Sequence, residues 1–526
     1  MALGRALAVA IVGLHGHLVE VEADIATGLP SFGLVGLPDA SLQESRDRVR
    51  AAAANSGFPL PQQRITVNLS PAALPKAGTG FDLAVAAALL SAAGTTPAPT
   101  VNRYVHIGEL GLDGRVRAVR GVLPAVVAAV QAGRPDVVVP QDNQAEAELI
   151  PGARVWPVRR LTDVVLLHGG EVDPDVVVEF DDGQPVEDDV GSDASIDALP
   201  RSRRAPDLDL VDVIGQRTAR HAIEVAAAGR HHLLLMGPPG AGKTMLAARL
   251  PGLLPDLDDQ QAVEVTAVHS LAGTLDAAAG LIRRPPFEDP HHTSTVVSLV
   301  GGGSGLPHPG AASRAHRGVL FLDEAAEFEP RVLEALRQPL EHGELVIHRA
   351  QGSARFPARF QLVLAANPCP CGMASGRGLE CVCPPSARRR YLMRLSGPLL
   401  DRVDLQVEVF AVSRADLAYA AQPESTAVVA RRVAAAREVQ RARLAATPWS
   451  CNGEVSGSWL RSDARLPAGV TREADLAVDR NQLTVRGYDR VLRLAWTLGD
   501  LAGRSQPSEE DVSQAMLFRQ RGTVPV

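Results

Sequence analysis

HHLLLMGPPGAGKTMLAARL, residues 231–250, decides how the chain is read. An apolar strand over 231–236 runs into GPPGAGKT at 237–244, and an Ala/Leu-rich helix over 245–250 follows. Strand, glycine loop and helix in that order are the setting in which the P-loop pattern holds a triphosphate. Gly237, Pro238, Pro239, Gly240, Ala241 and Gly242 are expected to curl the backbone so that N–H groups face phosphate oxygens, helped by the positive end of the helix. Lys243 is expected to reach the β- and γ-phosphates of ATP, and Thr244 to offer its hydroxyl to Mg²⁺.

Working outward, the partner carboxylate should end a second buried strand. GVLFLDE at 318–324 is such a strand. Asp323 is assigned to Mg²⁺ and Glu324 to polarising the attacking water. The chain has only two lysines, Lys76 and Lys243, among 53 Lys+Arg. Each marks a place where a compact point charge serves better than a planar fork. For Lys76 an anion or a partner is one expectation, and chance survival the other.

The chain has 526 residues, more than one core holds, with 46% hydrophobic and 21% charged residues. Residues 1–168 alternate short apolar strands with Ala-rich helices such as 81–93 and 122–132 and read as an α/β domain. An acidic linker over 169–209 follows, with eleven acids and no base between 171 and 198. Without that stretch the net charge of -7 becomes +4, so a nucleic-acid partner stays open. Residues 210–410 read as a parallel sheet with helices on both faces, and 411–526 as a helical lid or carboxy-terminal domain with 3.6-residue periodicity over 427–445 and 488–502. No apolar run reaches the ~20 residues a membrane helix needs. Five cysteines, four of them between 369 and 383, point to a reducing, cytoplasmic location.

Three strings carry a resemblance: NPCPCG at 367–372, SGPLLDRVD at 396–404, and the stretch from RPPFEDPHH at 284 to FLDE at 324. They resemble the ComM (YifB) family, relatives of the magnesium chelatase ATPase subunit within the AAA+ proteins, and the likeness covers nearly the whole chain. It implies that Asn367 is the sensor-1 residue orienting water, Arg402 an arginine finger supplied in trans within a homo-hexamer, and Arg486 the sensor-2 arginine. Asn in a turn before Pro368, and surface ion pairs for the arginines, are the plainer readings.

Two elements interrupt the expected core. A Gly/His/Ser-rich insertion spans about 285–317. A β-hairpin is expected over about 343–360, from LVIHRA, a QGSA turn and RFPARF. Both resemble the helix-2 insert and pre-sensor-1 hairpin of the AAA+ clade that includes ring helicases. His348, Arg349, Arg355 and Arg359 are then candidates for DNA phosphate contacts; a solvated hairpin face is the alternative. Cys369, Cys371, Cys381 and Cys383 form C-x-C, nine residues, C-x-C, a spacing open to Zn²⁺, to packed free thiols or to a redox pair.

At the amino end, NLSPAALPKAGTGFDLAVAAALL (68–90) and GELGLDGRVRAVRGVLPAVVAA (108–129) resemble the Lon protease domain. On that likeness Gly80 stands where its serine would be and Leu123 where its lysine would be, so peptide hydrolysis is not expected. The functional expectation is an ATPase that translocates on or remodels DNA, a helicase or branch-migration factor in recombination or natural transformation. The competing expectation is a chelatase-like ATPase remodelling a protein partner.

Overall fold

The computed structural model describes residues 2–36, 40–76, 78–174, 208–303, 307–349, 352–374, 380–395, 397–412 and 423–520. Most of the expected acidic linker therefore lies outside the described residues, as do 304–306 at the tip of the insertion.

The amino-terminal domain opens on β1 (Ala2–Val12) and β2 (His15–Ala26), an antiparallel pair whose Ala6, Ala8 and Ala10 and Val19, Val21 and Ala23 are buried. Further strands are β3 (Ser31–Val35), β4 (Arg64–Ser70), β5 (Val105–His106), β6 (Asp136–Pro140) and β7 (Arg154–Val158). They form a seven-stranded sheet in the order β3-β4-β2-β1-β5-β6-β7. Helices α1 (Ala40–Asn55), α2 (Asp82–Ala92) and α3 (Val122–Gln131) cover it. Alanine-rich α2 is buried along its whole length because small side chains let it settle close to β1.

The second domain is built on a five-stranded sheet. Its elements are α4 (Arg217–Gly229), β8 (Leu233–Met236), α5 (Lys243–Ala247), α6 (Asp259–Ala272), β9 (Phe287–Glu288), α7 (Val296–Val300), β10 (Val319–Leu322), α8 (Arg337–His342), β11 (Glu344–Arg349), β12 (Gly352–Pro357), β13 (Gln361–Ala366) and β14 (Leu405–Glu408). The strand order is β9-β10-β13-β8-β14, with every pairing parallel. Along β8, Leu233 and Leu235 join Val363 and Ala365 in the core on one face. Leu234 joins Leu362 and Leu364 on the other. A doubly covered sheet needs continuous apolar strands, which is what 231–236 and 318–322 supply.

The carboxy-terminal helices α9 (Thr426–Arg443), α10 (Ala468–Asp479), α11 (Val485–Leu501) and α12 (Glu509–Gln520) pack onto the sheet, while Leu492 and Trp496 of α11 also join a small cluster with Leu444, Val455 and Leu460. Val433, Ala474, Leu494 and Ala515 belong to the same buried cluster as Leu233 and Val407 of the sheet.

The two larger domains meet through α3 and α6. Ala267 of α6 is buried with Val122 and Val126 of α3. Beside it the buried Glu146 accepts from the Leu123 N–H at 2.9 Å and from the Ser270 hydroxyl across the boundary. In the β1–β2 turn Gly13 has φ +64 and lies so close to β12 that a Cβ would be 2.9 Å from the Arg355 nitrogen and overlap its carbonyl oxygen.

A buried charge network ties α11 to β14. Asp404, 2% exposed, accepts from Arg490 Nη1 at 2.5 Å and from the His232 N–H at 3.1 Å, and lies 3.5 Å from His231 Nδ1. Burial pushes its carboxyl upward, but Arg490, His231 and Arg493 outweigh burial and hold it well below the usual carboxylate range. Asp404→Ala leaves two buried cations short of a partner and is expected to destabilise the chain by about 3–5 kcal/mol in urea unfolding. A depressed native value means that this stabilisation is complete above about pH 4 and declines as pH falls further. Asp404→Asn is therefore expected to flatten the acid limb of the stability profile.

Candidate nucleotide site

Parallel pairing puts the ends of β8, β10 and β13 side by side. The Gly237 N–H donates to Ala366 O at 3.1 Å, extending the ladder into the loop. A Cβ on Gly237 would overlap Val409 O, so only glycine lets β14 pass this close. Gly242, at φ +87, turns the chain into α5.

Lys243 Nζ donates to Gly237 O at 2.7 Å, to Pro238 O at 3.0 Å and to Asn367 Oδ1 at 3.0 Å. Burial draws its ammonium below the ordinary value, while Asp323 and Glu324 act in the opposite sense. Thr244 Oγ1 donates to Asp323 Oδ2 at 2.6 Å. Adjacent oxygens of a Mg²⁺ octahedron lie about 2.9 Å apart, so these two atoms suit neighbouring positions on one ion. Asp323 Oδ1 is held by the Glu324 N–H at 2.8 Å. ATP and Mg²⁺ fit the donor set: Lys243 and the loop N–H groups would hold phosphates, and Thr244 and Asp323 the ion. Bound Mg²⁺ would supply charge neutralisation between phosphates, and Glu324 would orient and deprotonate water.

Glu324, half exposed, adopts φ +49 and its carboxylate lies 3.2 Å from His292 Nδ1. His292 belongs to the insertion, its ring tilted against that of His291 with centroids 4.1 Å apart. Its role was not read from the sequence, because a His–Glu pair 32 positions apart has no local signature. Gln216 was also missed. It adopts φ +49 and its amide donates to Ala241 O within the glycine loop. The only local signal was Gly215–Gln216 just ahead of α4.

Arg402 and Arg486 are not brought to this end of the sheet. Arg402 precedes β14, whose Leu405 pairs with Leu233 at the start of β8, whereas Lys243 follows its end. The strand between spans about 13 Å. Arg402 is ion-paired with Glu341 of α8, and Arg486 lies 3.9 Å from Asp401. Burial, then the charges of Arg337, Arg486 and Arg490, draw the Arg402 guanidinium downward.

The insertion is shorter than expected, since Phe287–Glu288 is an edge strand of the central sheet, held there by its pairing with Val319 and Leu320. The hairpin forms, with Glu344 opposite Pro357 and Arg349 opposite Gly352, but QGSA is not its turn, because Gly352, Ser353 and Ala354 pair within β12. Its four cations are not alike. His348 is exposed; the Arg349 side chain lies outside the described residues. Arg355 is 67% exposed but paired with Glu344 at 3.1 Å. Arg359 lies beyond β12, packed against Gly343 at the hairpin base, because its N–H is taken by His316 and its carbonyl by Arg317. It is therefore not a hairpin cation.

The sulfurs of Cys369, Cys371, Cys381 and Cys383 all lie within 4.8 Å of one another, and the four can hold a metal ion. Donation from the Met373 N–H and then neighbouring thiols draw Cys371 down to about 6, while burial pushes Cys369 up to about 11.

In the amino-terminal domain, Gly80 lies in a 3-10 turn and Leu123 is fully buried. Lys76 is 1% exposed, and its ammonium donates to Gly36 O at 2.8 Å and to Pro71 O. Carbonyl oxygens around it disfavour an anion, so the expected binding role is replaced by an internal one.

Comparison with known proteins agrees with this architecture. The family described as magnesium chelatase, subunit ChlI, matches residues 209–417, a second ChlI description matches 21–143, and its carboxy-terminal domain matches 423–519. Competence protein ComM of Haemophilus influenzae is 38% identical over 520 residues, covering 99% of this chain and 98% of its own. YifB of Escherichia coli is 38% identical over 511 residues, covering 97% and 96%. Lon protease of Mycolicibacterium smegmatis is 32% identical over 180 residues, 32% of this chain and 23% of that protein. Among the described residues no helix is long and apolar enough to cross a membrane.

Lys243→Ala is expected to abolish measurable binding of a fluorescent ATP analogue. Glu324→Gln should keep binding and lower turnover by about 100-fold or more. His292→Ala, which frees Glu324, is expected to change turnover while leaving analogue affinity unchanged.

Proposed function

The chain belongs to the ComM/YifB family of magnesium chelatase-related AAA+ ATPases, and from that premise we propose that it hydrolyses ATP between subunits of a homo-hexameric ring and uses the cycle to move DNA. One observation carries the shared-site reading. At the end of the sheet opposite the P-loop of the same chain, burial and then the guanidiniums of Arg337, Arg486 and Arg490 all act on Arg402. Such a cluster suits the phosphates of a nucleotide presented by a neighbour, where a planar fork spreads charge in the transition state. In this reading Arg402 is the finger, Arg486 its companion, and the pair with Glu341 is exchanged for phosphate on assembly. Asn367, bonded to Lys243, orients the attacking water.

The DNA reading rests on the two loops. The insertion touches the hairpin, since a Cβ at Gly301 would lie 3.1 Å from Ile347 Cδ1. The insertion also supplies His292 to Glu324, so a polymer gripped by these loops has a short path to the hydrolytic carboxylate. His348 and Arg349 at the hairpin end are the phosphate contacts in this scheme, with Arg355 contributing once released from Glu344. ComM of Haemophilus influenzae is a competence protein, which agrees with work on incoming DNA. The Lon-like domain serves as scaffold, with no peptidase pair at Gly80 and Leu123.

Mixing Arg402→Ala with Lys243→Ala subunits, each inactive alone, is expected to restore part of the ATPase activity, because some interfaces then pair an intact finger with an intact P-loop. No recovery would place the finger in cis. ATP turnover is expected to rise with single-stranded or branched DNA, and Arg349→Glu with Arg355→Glu to remove that rise. Turnover indifferent to single-stranded, duplex and branched DNA would favour a protein-remodelling ATPase.

A further inference from the structure

The four-cysteine cluster stands against the nucleotide loop. Cys369 Sγ lies 3.3 Å from Cys371 Sγ and 3.6 Å from Cys381 Sγ, and Cys371 Sγ lies 3.7 Å from Cys381 Sγ. Four sulfurs around Zn²⁺ at about 2.3 Å sit about 3.8 Å apart, so the cluster has the size of a tetrahedral thiolate cage. A disulfide would need about 2.05 Å. N–H groups of Ala374 and Met373 point to the sulfurs of Cys369 and Cys371, and Arg388 Nε donates to Cys383 O at 3.2 Å. These donors fix the loop that carries the ligands, as the outer shell of a metal site does.

Two contacts lead from this cage to the ATP site. Cys369 follows two residues after Asn367, which bonds Lys243. Gly372, buried at φ +77, packs on the nucleotide loop, where a Cβ would lie 2.7 Å from Pro239 Cγ and closer still to Cδ. The cage thus abuts the loop on one side and anchors the strand end bearing Asn367 on the other.

We propose that Cys369, Cys371, Cys381 and Cys383 hold one zinc ion and that this zinc knuckle braces the nucleotide site, setting the position of Asn367 and of Pro239. Cys369 and Cys371 end the strand side of the knuckle; Cys381 and Cys383 return the chain towards helix Pro385–Leu392. Metal closure replaces a hydrophobic core that so short a segment lacks. The proposal rests on the reading of 237–244 as the nucleotide loop, and it needs no DNA.

The full-length protein, purified under reducing conditions without added metal, is expected to contain about one zinc per chain by mass spectrometry. Cys381→Ser and Cys383→Ser should each lose it. Stripping the metal with a mercurial and a chelator should weaken affinity for mant-ADP about tenfold, or ~1.4 kcal/mol. Turnover should fall about 100-fold, as when a reacting group moves by ~1 Å, with recovery on adding zinc under reducing conditions. Gly372→Ala keeps all four thiols; it should retain zinc yet weaken mant-ADP binding, which separates the brace from loss of folding. Protein that neither contains zinc nor takes it from a chromogenic indicator overturns the site. Zinc loss that leaves mant-ADP affinity and turnover unchanged overturns the brace. Zinc-loaded wild type that binds no mant-ADP overturns the nucleotide-loop reading and the brace together, while the zinc count is judged separately.

Discussion

In a parallel sheet all strands begin at one end and finish at the other, and this polarity governs the rest of the molecule. Lys243, Asp323 and Asn367 follow the finishing ends of β8, β10 and β13, while Arg402 precedes the start of β14. No side chain reaches across the intervening strands. Within one chain the two groups therefore stand at opposite ends of the sheet, with the arginines gathered at its starting edge. The buried Asp404 network secures that edge, since Arg490 bonds both Asp404 and the Arg402 carbonyl at 3.1 Å. The lid helices consequently set the position of Arg402.

Charged groups are held by partners from different elements: Lys243 by Asn367, Asp323 by Thr244, Glu324 by His292 and, at the opposite end of the sheet, Arg402 by Glu341. Such cross-pairing prevents a concentrated set of charges from repelling the fold apart. It also makes each catalytic group report on a neighbouring element. Glu324 senses the insertion, Arg402 senses α8 at the foot of the hairpin, and Lys243 senses the strand leading to the cysteines.

Whatever depends on contiguous residues was legible in the sequence. The glycine loop, the strand ending at Asp323–Glu324, the hairpin and the four-cysteine spacing are all local patterns, although the hairpin turns before Gly352 and not across QGSA. What escaped depends on distant segments meeting. Arg359 looks like a hairpin cation until Gly343 and His316 draw it to the base. Lys76 looks like a free charge until the turn carrying Gly36 closes over it. Phe287–Glu288 is too short to announce itself as a strand, and its place in the sheet comes from pairing with β10. Sharing of one core between lid and sheet was likewise illegible, because periodicity marks an apolar face without naming its partner.

The close approach of Gly13 to Arg355 has a mechanical consequence. The hairpin bears on the amino-terminal body where β1 and its turn meet β12 at Arg355. Any swing of that strand must either tilt this body or slip past it. The domain is therefore a load on the hairpin, so that displacing this strand carries the amino-terminal body with it.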